Sequence, residues 1–150
     1  MISVNKSVFI ISILFFSLIP VFNIYAVDLD RDGTPLAIQG YDPVAYHTEN
    51  HATKGYPNLY VKQADVNWHF CNSDYKELFI KEKDKYMPAY AGYCAYTMST
   101  KGYKKNSDPE IWEIVDGRLF LFANDDKKEK WDEDVVKNVE KADMNWEKLE

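Results

Sequence analysis

Alternation of apolar and polar residues predicts a first β-hairpin in the middle of the chain. Between residues 66 and 71, valine, tryptophan and phenylalanine alternate with asparagine, histidine and cysteine, which places the two sets on opposite faces of a strand. Residues 60–63 form a second extended run, and Ala64-Asp65 supplies the turn between the two. His69 and Cys71 are two positions apart, so we expect both on the same face.

The clearest hairpin signal lies further along the chain. Residues 111–115 and 118–122 are rich in aromatic and branched side chains, and Asp116-Gly117 separates them. An Asp-Gly pair favours a two-residue type I′ turn, because both of its central residues have positive φ. Residues 40–46 predict a turn that leads into a short strand, with Pro43 confining the chain to an extended or turn geometry.

Helical periodicity accounts for most of the remaining chain. Ser73 is a suitable N-cap for a helix with an apolar stripe, and residues 92–99 predict a short helix closed by Gly102. In the tail, apolar residues recur every three or four positions and predict one helix with its apolar face on the sheet: Trp131, Val135, Val139, Ala142, Trp146 and Leu149. No internal repeat is evident. Together the elements predict an α+β fold, in which a small antiparallel sheet of hairpins is packed by short helices and a C-terminal helix.

An apolar run near the N-terminus predicts an exported protein. Residues 8–19 are apolar apart from two serines, Lys6 is the one charge in the first 27 residues, and Ala26 is a small residue suited to cleavage. We predict a signal peptide over residues 1–26 and a single domain over residues 27–150, in the periplasm or secreted. The alternative is an uncleaved membrane anchor, but Pro20 interrupts the run before the roughly 18 residues that a span needs.

Charge narrows the range of partners. Acidic residues outnumber basic ones by 24 to 18, and the formal net charge is −6. All the acids lie beyond residue 26, so the exported domain would repel nucleic acid phosphates and would gain nothing from an anionic membrane surface. We expect neither nucleic-acid binding nor stable membrane association after cleavage. The oligomeric state is left open.

Two cysteines and three histidines are the candidates for chemistry. Cys94 lies among tyrosines, and three interpretations stay open: a buried core thiol, a disulfide with Cys71 in an oxidising compartment, or metal or thiol chemistry. Imidazole and thiolate suit copper or zinc. Cys94, Cys71 and His69 are therefore candidate ligands, with His47 as a further one.

Tyrosines concentrate around the same segments. Tyr41, Tyr93 and Tyr96 could line a pocket for a small organic ligand or a protein partner, although such tyrosines are often core residues with the hydroxyl at the rim. Patterns of catalysis are missing from the sequence, which has no C-x-x-C, no H-E-x-x-H and no glycine-rich phosphate loop. The sequence therefore favours a non-enzymatic binding protein.

Five separated segments, in order, resemble the YHS-domain family. The similarity is greatest to its exported, single-domain branch, which has a GYDPVAY-like opening, a YGGYCA-like segment and a terminal helix that ends in an ADANW-like sequence. It covers residues 34–147. The segments that carry it are residues 40–46 (GYDPVAY), 68–70 (WHF), 85–95 (KYMPAYAGYCA), 112–122 and 142–146 (ADMNW).

The resemblance implies a role connected with metals. Better-known YHS domains occur in heavy-metal proteins, including copper-transporting ATPases, and carry proposed cysteine ligands in the patterns DPVCG and FCSxxC. In this chain those three cysteine positions are Ala45, Cys71 and Tyr75, so only Cys71 matches. We predict an exported, non-enzymatic YHS-like domain that binds copper ahead of zinc. The alternatives are a tyrosine-lined binding module and a thiol-based redox or stress protein that uses Cys94.

Overall fold

A computed structural model of the chain describes residues 28–150. The predicted signal peptide lies outside these residues. Within the described range, none of the helices has the length and apolar character needed to cross a membrane.

The described chain alternates short helices with two hairpins. After a turn at Ala37–Gly40 come α1 (Ala45–Thr48), β1 (Tyr56–Gln63), β2 (Val66–Phe70), α2 (Ser73–Lys81) and α3 (Lys83–Tyr86); after a turn at Ala89–Gly92 come α4 (Ala95–Lys101), β3 (Asp108–Val115), β4 (Arg118–Phe122), α5 (Asp125–Asp132) and α6 (Val135–Trp146). Each hairpin is antiparallel and forms a sheet of its own. The α+β fold is confirmed, with two two-stranded sheets instead of one.

The two halves of the chain repeat the same order of elements, displaced by 52 residues from Ala37 to Ala89. Even an irregularity is repeated: the strand register shifts after Tyr56 in the first hairpin and after Asp108 in the second. We call residues 37–86 the first half and residues 89–146 the second half. The expectation of no internal repeat is wrong, because few paired positions keep the same residue while the backbone keeps its path.

Each half opens with a turn in the left-handed region of backbone conformation. The two residues before Gly40 have φ of 38° and 54°, and the two before Gly92 have φ of 55° and 52°. A left-handed conformation costs a residue with a Cβ about 1–2 kcal/mol. The turns touch each other, because a Cβ placed on Gly92 would lie 2.4 Å from Cγ2 of Ile38. This contact joins the two halves.

A single aromatic residue on a helix anchors each hairpin. In the first half, Phe79 of α2 lies against Trp68 and Phe70 with ring centroids 5.7 and 5.2 Å apart. In the second half, Trp131 of α5 lies against two phenylalanines of β4 at 5.2 and 5.5 Å. The four rings named are at most 3% exposed, so each half has an aromatic centre of its own.

Local chemistry explains where the helices depart from the sequence prediction. Residues 45–48 form α1 and not a strand, because Oδ1 of Asp42 accepts the Val44 N–H at 2.8 Å and turns the chain into a helix. The N-cap of α2 is Asn72 and not Ser73, since Oδ1 of Asn72 accepts the Tyr75 N–H at 2.8 Å. The short helix predicted over residues 92–99 is α4, closed by Gly102 as predicted.

The tail contains two helices and not one. Asp134 begins α6, because its side chain accepts the Lys137 N–H at 3.2 Å. The main neighbour of α6 is α4 and not a sheet. Nδ2 of Asn145 strengthens that contact by donating to the Met98 carbonyl at 2.9 Å.

Candidate functional site

His69 is buried on β2 and bound to an acid from the start of the described chain. Its Nε2 lies 2.8 Å from Oδ2 of Asp30, and Nδ2 of Asn67 donates to the same oxygen at 2.8 Å. These hydrogen bonds hold the pKa of Asp30 down at about 2. His69 therefore ties the segment of residues 28–36 to β2.

Cys71 lies beside a buried carboxyl group. Asp42 is fully buried and accepts the backbone N–H of Cys71 at 2.8 Å. Burial and the neighbouring Asp42 raise the pKa of the Cys71 thiol to about 12. Because the thiolate is the form that attacks electrophiles, the raised pKa makes this thiol a weak nucleophile at neutral pH.

Cys94 occupies in the second half the place that Asp42 occupies in the first. The N–H of Asp42 donates to the carbonyl of Thr53, and the N–H of Cys94 donates to that of Lys105, both at 2.8 Å. Cys94 is fully buried and its sulfur accepts from Oγ1 of Thr97 at 3.3 Å. Cys71 and Cys94 are both free thiols, so the structure contains no disulfide between them, and Cys94 is a core residue.

His47 is partly buried on α1. Its ring meets Tyr86 edge-on with centroids 5.4 Å apart, and its buried Nε2 has no hydrogen-bond partner among the described residues. Burial lowers the pKa of His47. Over residues 28–150, no three His, Cys, Asp or Glu side chains are grouped so that they could hold a metal ion.

A cavity of about 120 Å³ lies where the left-handed turns of the two halves meet. Tyr93 is one of its walls; Tyr41 and Tyr96, which were predicted beside it, are not. The Tyr41 hydroxyl donates to Glu110 at 2.8 Å, and Lys127 lies 5.7 Å from the Tyr96 ring. The lining combines both turns with β2 and the loop before β3: Asp28, Pro35, Leu36, Ala37, Ile38, Gln39, Val66, Trp68, Ala91, Gly92, Tyr93, Asn106 and Ser107.

Trp68 lines the cavity and has a buried indole N–H. Its side chain is almost fully buried at 3% exposure, and its Nε1 has no hydrogen-bond partner in the described part of the chain. A buried donor without an acceptor costs about 1–3 kcal/mol. Nε1 of Trp131, which is not at the cavity, also lacks a partner among the described residues, so the unpaired donor by itself does not identify a ligand site.

The sequence analysis placed Trp68 on one face of a predicted strand but did not predict its position in the cavity wall. The cavity depends on two turns that are far apart in sequence and whose left-handed geometry lies at Ile38, Gln39, Tyr90 and Ala91. None of these residue types is one from which a positive φ would be predicted, as it would be for glycine. An available signal was the pair of similar segments that form the turns, residues 37–41 (AIQGY) and 89–93 (AYAGY).

No protein-family model, curated protein or solved structure matches this chain. The resemblance to the YHS-domain family therefore stays a prediction from sequence. The cavity and the contacts of the candidate residues are therefore the basis for inferring a function.

Proposed function

We propose that this chain is an exported, non-enzymatic binding domain of the YHS type, and that it holds a small organic molecule in the cavity between its two halves. The observation that carries the proposal is the cavity itself, which lies where the two turns meet and has Trp68 and Tyr93 among its mostly apolar walls. A ligand in a mostly apolar pocket with a few polar groups is the common arrangement for small-molecule sites.

A small molecule is favoured over the predicted copper or zinc by the state of the candidate ligands. His69 is engaged with Asp30, Cys94 is a buried core thiol, and Cys71 belongs to no group of three possible metal ligands among residues 28–150. A metal site needs deprotonated thiolates and several converging donors. The burial of Cys94 also weighs against a redox function, since a reactive thiol is accessible to its substrate.

The test is a screen of small ring compounds by methyl NMR on the chain without its first 26 residues. At least one compound should shift the methyl signals of Leu36, Ile38 and Val66. The variant Val66→Met extends a side chain into the cavity and should weaken that binding about tenfold or more. The matched control is Val136→Met, at a residue 72% exposed on α6, which should leave the affinity unchanged.

Two results would overturn the proposal. One is that no compound shifts the cavity methyl signals. The other is tight binding of Cu(I) under reducing conditions that is lost in Cys71→Ala, because this would return the function to the metal site that the family resemblance implies.

A further inference from the structure

We propose that the two left-handed turns are the specificity-determining walls of the cavity, and that Ile38, Gln39 and Ala91 are kept there at a conformational cost because their side chains contact the ligand. This inference rests on the proposed function and names the residues that select its ligand. It draws on the backbone of the turns, on the place of these side chains in the cavity wall and on their contacts.

Each turn has positive φ at three consecutive residues. In the first turn, Ile38 and Gln39 have φ of 38° and 54° with ψ of 42° and 28°, and Gly40 follows with φ of 78°. In the second turn, residues 90–92 repeat this path with φ of 55°, 52° and 83°. Residues with a Cβ adopt the left-handed conformation at a cost, and they do so singly and not in succession. Two such turns therefore need an explanation.

Elsewhere in the described chain, positive φ has a local explanation. Outside the two turns, the described non-glycine residues with positive φ are Asn50, Ala64, Asp65 and Asp116. Asparagine is a residue type that tolerates the left-handed region. The other three residues lie in the turns of the two hairpins, where the twist of the paired strands favours positive φ. Over residues 28–150, the two turns at the cavity are thus the places where neither a hairpin nor the residue type accounts for the cost.

The cost falls on residues that line the cavity. Ile38, Gln39 and Ala91 all belong to its wall. Two of them also contact other residues of the wall: Cγ2 of Ile38 lies against Gly92, and Nε2 of Gln39 donates to the Ser107 carbonyl at 2.8 Å. Backbone strain clusters at ligand sites, where it holds groups ready for binding. The turns therefore fix one wall from each half before a ligand arrives.

Ala91 separates a role in binding from a role in packing. The residue lines the cavity and is exposed, so the hydrophobic core does not require its methyl group. Glycine adopts the same φ without strain, but the chain carries alanine at this position. A methyl group that makes the turn more costly and lies in the cavity wall is explained if it contacts the ligand.

The test compares two alanine-to-glycine substitutions at nearly the same backbone angle. Ala91→Gly changes a residue with φ of 52° in the cavity wall, and Ala64→Gly changes one with φ of 51° in the turn of the first hairpin, outside the wall. Urea denaturation should show a similar rise of about two- to fivefold in the folding equilibrium constant of both variants. The reason is that relief of the left-handed conformation exceeds the entropy cost of glycine.

Binding should distinguish the two variants. The probe is the ring compound of the methyl NMR screen that gives the largest shifts at Leu36 and Val66. Ala91→Gly should weaken its binding about fourfold, the value of one buried methylene-sized group, and Ala64→Gly should leave it unchanged. Gln39→Asn shortens a side chain of the wall but keeps a residue type that tolerates positive φ, and it should change the order of affinities among the compounds of the screen.

The outcomes separate this inference from the proposed function. If Ala91→Gly leaves the affinity unchanged, or if Ala64→Gly weakens binding equally, the turns do not select the ligand, although the cavity still binds it. If Ala91→Gly lowers the stability of the fold, its left-handed conformation carries no cost and the inference fails. An unchanged order of affinities in Gln39→Asn would overturn the part assigned to Gln39. If no compound of the screen binds, the proposed function fails as well.

Discussion

The two halves of this protein have the same order of helices and strands. They differ in the side chains on one face of the second strand of each hairpin, the face that carries residues 67 and 69 in β2 and residues 119 and 121 in β4. In the second half, Leu119 and Leu121 are fully buried and pack into the core of the first half. Their counterparts are Asn67 and His69, which are also buried but bind Asp30. In the second half these positions pack against the first half and so hold the two halves together. In the first half they bind the segment of residues 28–36, part of which lines the cavity. Both halves thus bury these positions, but only in the first half do they hold a segment that lines the candidate ligand site.

The largest expected effect comes from Asp42 and Cys94, which occupy equivalent positions. Asp42→Ala leaves the buried N–H groups of Val44 and Cys71 without their acceptor, and each such group costs about 1–3 kcal/mol; we expect the free energy of unfolding to fall by about 4 kcal/mol. Cys94→Ala removes only a small apolar group and should cost about 1 kcal/mol. Urea denaturation of both variants measures the difference. If both substitutions lowered the free energy of unfolding equally, the hydrogen bonds of Asp42 would add nothing beyond what Cys94 contributes by packing.

The second effect concerns the glycines that end the two turns. A Cβ on Gly92 would lie 2.4 Å from Cγ2 of Ile38, whereas a Cβ on Gly40 meets nothing closer than 3.2 Å, the end of the Leu36 side chain. Both alanine variants carry the left-handed cost of about 1–2 kcal/mol, and Gly92→Ala adds the steric conflict, for a total of about 3–4 kcal/mol.

A second change on the facing turn checks the cause. Adding Ile38→Ala to Gly92→Ala should recover part of the loss, because it removes the atom in conflict. The free energies of unfolding of the single and double variants give the coupling. Strict additivity would mean that the turns are not in contact.

The smallest effect is the acid sensitivity of the first half. The pKa of Asp30 is held at about 2, below its usual value of 3.8, by His69 and Asn67. A carboxyl group with a lowered pKa in the folded state stabilises above its unfolded pKa, so this stabilisation is present above about pH 4 and lost as the pH falls towards 2. Asp30→Asn should lower the unfolding free energy by about 1 kcal/mol at pH 7.

The pH profile distinguishes this cause from a general loss of packing. Between pH 4 and pH 2, the wild-type chain should lose more stability than Asp30→Asn, so the two curves converge. Thermal unfolding across this range makes the measurement. Parallel curves would show that the pair of Asp30 and His69 is not a source of acid sensitivity.

Much of the fold is local enough to be predicted from sequence. Both hairpins lie where alternation placed them, and Asp116 and Gly117 have the positive φ that the Asp-Gly signal implies. Phe79 is buried on the predicted stripe of α2. Errors arose at helix starts, at Asp42 and Asn72, because a side-chain acceptor two or three residues away decides the backbone there.

The candidate site was much less predictable. Sequence brought His69 and Cys71 together by strand spacing, but Cys71 lies beyond the end of β2 and contacts Asp42, while His69 contacts Asp30. Both partners are distant in sequence, and no periodicity reports on them. Tyr93, one of the three tyrosines predicted to line a pocket, is part of the cavity wall, whereas the part that Trp68 plays in the wall was not predicted.

Sequence by itself determined the α+β elements, the acidic surface and the apolar stripes, because these follow from residue type and spacing over a few positions. Only the tertiary structure decided that the two halves repeat one order of elements, that Cys94 corresponds in position to Asp42, and that a cavity lies where the two left-handed turns meet. The cavity, in particular, depends on contact between turns that are about 50 positions apart in the sequence. Hydrogen bonds and packing can preserve the same backbone conformation in both halves while most of the side chains differ, so the repeat is hard to see in the sequence.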